Sequence, residues 1–241
     1  MRHVKLELSL LTTFSLLLSL SLTIAADDAH AESLIWGIQA EQAEYRYTSG
    51  ERLAAWDFDA LIGNDELKFV WRSEAEFNTR HDNFETLENQ FRIQVPVSDF
   101  FDAVAGVRLD TPDGPDRIHG VLGLHGLAEQ WFEVDADIFF SEDPSARFEI
   151  EYEALVTNRL ILTPSFEVNV PFTDDDKSEV GAWAPSIELG ARLSYDLIDR
   201  AVSPYVGVHY ERSFGETARI AERNGSRQDE LYIVIGTKFM Y

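Results

Sequence analysis

Cysteine is absent from the 241 residues, which excludes both a disulfide scaffold and a thiolate metal site. Basic side chains are scarce: 20 Lys+Arg stand against 43 Asp+Glu, a formal net charge of -23. That balance excludes the usual mode of nucleic-acid binding, in which Lys and Arg displace counterions, and suits cationic partners or plain solubility. There is no phosphate-binding glycine loop, no H-E-x-x-H and no EF-hand pattern. After Glu32 no apolar run is long enough to cross a bilayer as a helix.

The N-terminus has the parts of a secretion signal. Arg2, His3 and Lys5 form a basic flank, Leu8 to Ala26 are almost wholly apolar or small, and Ala29-His30-Ala31 is a small-x-small cleavage pattern. The alternative is a transmembrane anchor, but the order of these features favours a signal peptide over 1–31, with the mature chain 32–241 beginning at Glu32.

The mature chain alternates with period two. In the stretch from Trp131, the residues Phe132, Val134, Ala136, Ile138 and Phe140 share one side, and Glu133, Asp135 and Asp137 the other. Arg147, Glu149, Glu151 and Glu153 likewise oppose Phe148, Ile150, Tyr152 and Ala154. Twelve such segments can be counted: 35–48, 53–62, 67–78, 84–97, 100–110, 117–127, 130–141, 146–157, 159–171, 184–196, 203–213 and 230–241. Each has about the ten residues that a tilted strand needs to span a bilayer, and an even count returns both ends to one side. With a periplasmic N-terminus the longer connections fall mostly on the outward side, including Pro112-Asp113-Gly114-Pro115, 172–183 and 214–229, and the short turns on the inward side. A helical turn is expected within 217–227. Tyr241, preceded by Phe239, Ile235 and Ile233, gives the aromatic last strand common in outer-membrane barrels. The reading is all-β: a closed antiparallel transmembrane β-barrel of about 12 strands in the outer membrane of a Gram-negative bacterium, surrounded by lipid and lipopolysaccharide. A soluble β-sandwich also alternates, but does not call for the signal, the terminal aromatic and an apolar face on every strand together.

Alternation sends many charges inward, among them Glu44, Arg46, Arg72, Glu74, Arg92, Asp137, Glu188, Arg192, Glu211 and Lys238. Lipid exposure of an Arg or Lys costs about 2–4 kcal/mol at mid-bilayer, so a lumen cross-linked by ion pairs is the physical expectation. The excess carboxylates also suit a cation path or a metal site. His119 and His125 share one face of one strand, and His209 lies on a later strand. These imidazoles, with Glu133 and Asp135, are the candidate ligands for Cu²⁺ or Zn²⁺. They do not form one site, because six residues separate His119 from His125, roughly 20 Å along a strand. Ser141 and His125 fall near opposite ends of neighbouring strands, no nucleophile–base motif appears, and no enzymatic activity is expected.

Several pieces, taken in order, resemble a known family. They include Ala43-Glu44-Tyr45-Arg46, Gly106-Val107-Arg108-Leu109-Asp110, Gly126-Leu127-Ala128, Trp131-Phe132-Glu133-Val134-Asp135, Thr157-Asn158-Arg159-Leu160-Ile161-Leu162 and Pro204-Tyr205-Val206-Gly207. Over most of residues 43–241 the chain resembles the copper resistance protein B family of outer-membrane proteins. The resemblance implies a barrel concerned with copper binding and copper homeostasis at the envelope, with copper as its ion and periplasmic copper proteins as possible partners. A small porin-like or structural barrel with no metal role is the alternative. The family often carries a Met- and His-rich stretch ahead of the barrel. Here residues 26–35 contain only His30, and the chain has two methionines, Met1 and Met240.

Overall fold

The computed structural model describes residues 34–111, 116–129, 131–175, 177–198 and 200–241. The expected signal segment 1–31 and the loop 112–115 lie outside the described residues.

The strands follow the alternation closely. They are β1 (Ile35–Tyr47), β2 (Arg52–Gly63), β3 (Lys68–Asn78), β4 (Asn83–Pro96), β5 (Phe101–Asp110), β6 (Arg117–Ala128) and β7 (Phe132–Phe140). Then come β8 (Ser145–Tyr152), β9 (Ala154–Leu155), β10 (Leu160–Pro171), β11 (Ser186–Tyr195), β12 (Val202–Ser213) and β13 (Asp229–Met240). Where one strand is expected over 146–157, the ladder breaks at Glu153. Segments β8 and β9 both pair with β10 and count as one stave, so thirteen segments make a barrel of twelve strands.

Neighbours in sequence pair antiparallel, and the sheet closes where β13 pairs with β1. Tyr241 extends that seam: its N–H donates to Ile38 O and its carbonyl accepts from Ile38 N, both at 2.8 Å. Its ring lies 5.4 Å from that of Trp36. Closure leaves no open sheet edge, the condition for strands to cross lipid.

The outer face is apolar. Ile62, Phe69, Phe91, Leu122, Phe148, Val206 and Ile233 are all exposed. Exposed aromatics gather toward both ends, with Trp36, Phe100, Trp131 and Tyr241 at one and Tyr45, Tyr47, Phe140 and Trp183 at the other, the girdles of a membrane barrel. The connections at the first end are short and capped by side chains. Asn64 Oδ1 accepts from the N–H of Glu66 and Leu67, and Ser98 Oγ from that of Phe101. The opposite end carries the long loops.

Two local features depart from simple alternation. In β1 the register shifts beyond Ala40, so an extra residue is inserted against both neighbouring strands. This bulge reverses the parity. Trp36 and Ile38 point outward before it and Tyr45 and Tyr47 after it, while Gln39 and Glu41 join Gln42, Glu44 and Arg46 around the lumen. In the last long loop, residues Gly215–Asn224 form helix α1, slightly ahead of the expected turn. It ends at Gly225 in a left-handed conformation (φ 78), whose N–H reaches back to Ala221 O and Glu222 O. Thr217 Oγ1 accepts from Gly181 N (3.1 Å) and donates to Ala184 O (3.2 Å), fastening α1 to the 172–185 loop. β11 starts at Ser186, two residues after the expected 184.

Close approach of β4 and β5 requires a glycine at 106. A Cβ there would lie 2.3 Å from Phe91 O and 3.0 Å from Arg92 Cα, both backbone atoms. Gly106→Ala is therefore expected to destabilise the folded barrel by roughly 1–3 kcal/mol, the usual cost of overpacking. Denaturant unfolding in detergent, followed by tryptophan fluorescence, measures it. An unchanged midpoint would show that the two strands separate there at no cost.

Candidate metal centre in the lumen

Inward parity and closure bring charges from all strands into one narrow space, which holds two cavities. The larger, about 890 Å³, lies toward the long loops and is lined by eleven carboxylates against five Lys or Arg side chains. The smaller, about 720 Å³, lies toward the short turns, with Glu41, Glu133, Glu151 and Glu153 facing Lys238 and Arg200.

A layer of ion pairs fills the lumen between them. Glu44, whose side chain is fully buried, takes a two-pronged contact from Arg192, with Nε to Oε2 and Nη2 to Oε1 both at 2.8 Å. It also accepts from Arg46 Nε (2.8 Å) and Tyr205 Oη (2.8 Å). Across the lumen Arg92 bonds to Asp137 and reaches Asp135 at 3.4 Å, while Arg72 reaches Asp135 at 3.6 Å and Asp59 at 3.1 Å. Planar guanidinium forks suit these contacts because each offers several donors in fixed directions.

The register adds an arrangement that no single strand reveals. Asp135 lies opposite Glu149, Glu149 opposite Glu167, Glu167 opposite Glu188, Glu188 opposite Glu211 and Glu211 opposite Glu230. Six carboxylates thus form one row across neighbouring strands. Like charges placed directly opposite repel, so the row demands cations. Arg147 supplies one, reaching Glu167 at 3.4 Å while it also holds Glu74 and Glu88 at 3.0 Å.

Each end of this row meets a histidine. At the short-turn end, His125 of β6 lies opposite Asp135 of β7, with Nδ1 3.1 Å from Asp135 Oδ2. Glu133 stands two residues before Asp135 on the same face. The three offer ligand atoms all within 4.8 Å of one another. Near the other end, Glu188, His209 and Glu211 form a second group of the same compactness. His119 belongs to neither. It is buried against the Phe139 ring, 3.1 Å from Asp110 Oδ2 but without hydrogen-bond geometry. Phe139 itself is fully buried beneath the guanidinium groups of Arg108 (4.5 Å) and Arg147 (5.5 Å). Of the five candidate ligands, His125, Glu133 and Asp135 come together, while His119 and His209 stand apart from them and from each other. Sequence reading placed Glu188 and Glu211 in the lumen but did not join them to His209, because that grouping depends on cross-strand register.

The 172–185 loop overhangs the larger cavity, and Lys177 to Val180 contribute to its lining. It is clasped by Arg117 at the start of β6, whose Nη1 lies 2.6 Å from Asp175 Oδ2 and 3.1 Å from Asp143 Oδ2. Asp176, next to Asp175 in the chain, lies outside the described residues. The hydrogen bond from Arg117 holds the Asp175 carboxyl well below the usual carboxylate range. A lowered folded-state value means that the clasp is at full strength above the ordinary aspartate range and is lost only as pH falls through the depressed value.

Two outcomes follow. Protease nicking of the 172–185 loop should stay low as pH falls through the ordinary aspartate range, whereas Arg117→Gln should raise it already at neutral pH. Equal nicking of both proteins would remove the clasp from consideration. Arg92→Met should cost roughly 3–5 kcal/mol in denaturant unfolding, because it strands the buried Asp137 and takes one of the cations from Asp135. A loss near zero would mean that these carboxylates are compensated by other groups.

Residues 34–241 match the family described as copper resistance protein B precursor (CopB). Copper resistance protein B of Escherichia coli is 31% identical over 214 residues, covering 88% of this chain and 71% of the relative. The copper resistance protein B homolog of Pseudomonas syringae pv. tomato is 31% identical over 204 residues, covering 84% of this chain and 68% of the relative. Among solved structures, the NanC porin superposes with a TM-score of 0.54 at 14% identity, over 85% of this chain and 99% of the porin, a likeness of fold. With the closed barrel, its apolar belt and its charged lumen, these matches show that the chain belongs to the copper resistance protein B family and is an outer-membrane β-barrel.

Proposed function

We propose that this barrel binds Cu²⁺ inside its lumen at His125, Glu133 and Asp135, and that this binding is its part in copper resistance at the envelope. The observation that carries the reading is the compact meeting of one imidazole and two carboxylates at the smaller cavity. The donor set fits the divalent ion. Imidazole and carboxylate suit Cu²⁺, whereas Cu(I) prefers thiolate and thioether ligands, and the chain has no cysteine and two methionines. Asp135 would be both ligand and anchor, since its other oxygen is held by Arg92. Glu133 lines the cavity, where an entering ion meets it.

The ion-paired layer lies on the long-loop side of this cluster, so the ion's approach is from the short-turn mouth. With the N-terminus periplasmic, that mouth faces the periplasm, where a periplasmic copper protein would deliver or collect the ion. Lipid and lipopolysaccharide are the surroundings of the outer face. The close compensation of the mid-lumen layer favours a second reading, a structural barrel with no metal role.

Calorimetric titration of the folded barrel with Cu²⁺ separates the two. The metal reading expects saturable binding that weakens roughly tenfold or more in His125→Ala and in Glu133→Gln. Absent binding, or binding unaffected by both substitutions, would leave the structural reading.

A further inference from the structure

The second histidine cluster has a feature that the first lacks: a cationic side chain already occupies its centre. Arg46 Nη1 bonds to Glu76 and lies 3.1 Å from His209 Nε2 and 3.4 Å from Glu211 Oε1. Glu188 Oε2 is 3.5 Å from the same imidazole nitrogen. Acceptor groups from β3 and β12 thus meet one nitrogen of a guanidinium from β1, with Glu188 of β11 beside the same imidazole.

With Glu211 ionised, His209 cannot satisfy this arrangement in any neutral form. Its Nε2 lies 2.8 Å from Glu211 Oε1, a contact that needs a proton on Nε2, because a carboxylate only accepts. The same Nε2 lies 3.1 Å from Arg46 Nη1, a contact that needs a lone pair on Nε2, because a guanidinium only donates. Whichever tautomer is present, one close contact sets like against like. The other nitrogen, Nδ1, is buried with no hydrogen-bond partner among the described residues. His209 is 4% exposed, so water does little to relieve the conflict. A divalent ion in the place of Nη1 would take the Nε2 lone pair and the Glu211 oxygen together, with twice the charge that Arg46 brings to them.

Charge points the same way. Glu76, Glu188 and Glu211 against Arg46 leave two formal negative charges, the deficit that a divalent ion fills. Arg46 need not leave the lumen to make room. Its Nε is held by Glu44 Oε1 (2.8 Å) and its Nη2 by Gln42 Oε1 (3.1 Å), neither of which belongs to the cluster. Withdrawal of Nη1 turns the whole planar guanidinium, with Glu44 and Gln42 as its remaining partners. The larger cavity, lined by Gln42, Arg46, Glu76, Glu188, His209 and Glu211, gives space for both the side chain and an entering ion.

We propose that Glu188, His209 and Glu211 form a second divalent-cation site, of the Cu²⁺ or Zn²⁺ class, in which Arg46 is a built-in competitor that must withdraw for the ion to bind. The inference shares with the preceding reading a lumen that holds metal, but it uses a different cluster at the other cavity.

The test is made in a His125→Ala background, so that the first cluster contributes nothing and either proposal can fail alone. Calorimetric titration with Cu²⁺ and with Zn²⁺ compares that parent with the same protein carrying Arg46→Gln. At least one ion should bind the Arg46→Gln protein roughly tenfold or more tightly, the scale on which neighbours of metal ligands act, and the gain should vanish when His209→Ala is added. Unchanged affinity for both ions, or a gain that survives His209→Ala, overturns the proposal. A second measurement covers the case in which Arg46→Gln does not fold. Electron paramagnetic resonance of the parent at saturating Cu²⁺ should show nitrogen hyperfine coupling from one imidazole, lost in His209→Ala. Its absence in the parent overturns the proposal as well.

Discussion

The pairing of β1 with β13 removes the last open edges of the sheet, and everything else in the molecule depends on it. An unpaired N–H or C=O in hydrocarbon costs several kcal/mol, so a sheet of this length is stable in a bilayer only when closed. Closure fixes two opposite solvents, lipid outside and a confined polar lumen inside. Side chains separate between them by the strict alternation of strand geometry. The bulge in β1 is the one place where the seam strand changes parity, and it adds Glu41 to the short-turn cavity without turning any charge toward lipid.

Confinement then determines the electrostatics. Charges that cannot face lipid must share one narrow lumen, and this lumen holds more carboxylates than cations. Guanidinium groups answer most of the demand because each binds several oxygens at once: Arg147 serves Glu74, Glu88 and Glu167, and Arg92 serves Asp135 and Asp137. The row from Asp135 to Glu230 is left with fewer cations than carboxylates. Its two histidines stand near its ends, where the shortage can be met by an ion.

The copper reading gains physical content from this arrangement. A protein with no cysteine and almost no methionine has little to offer the reduced ion, so any metal chemistry of the barrel itself must use imidazole and carboxylate. The ion-paired layer lies between the two cavities of the lumen. One cluster faces each of them.

Much of this was written in the sequence. Period-two alternation is a property of each strand alone, so the twelve spans, their inward charges and the side carrying the long loops were readable from the order of residues; the strand ends fell within about two residues of their expected places, inside the usual uncertainty of such boundaries. The interruption at Glu153, the parity change near Ala40 and the fastening of α1 onto the 172–185 loop were not, because each arises from a neighbour's register or packing. The same division runs through the candidate site. His125, Glu133, Asp135 and His209 were legible as inward-facing groups of ligand type. That His125 meets Asp135, that Glu188 and Glu211 gather around His209, and that Arg46 stands among them were decided only by the closed barrel. Residues on one strand know their face; which residue lies across the lumen depends on stagger and closure, which join parts of the chain as distant as Arg46 and His209.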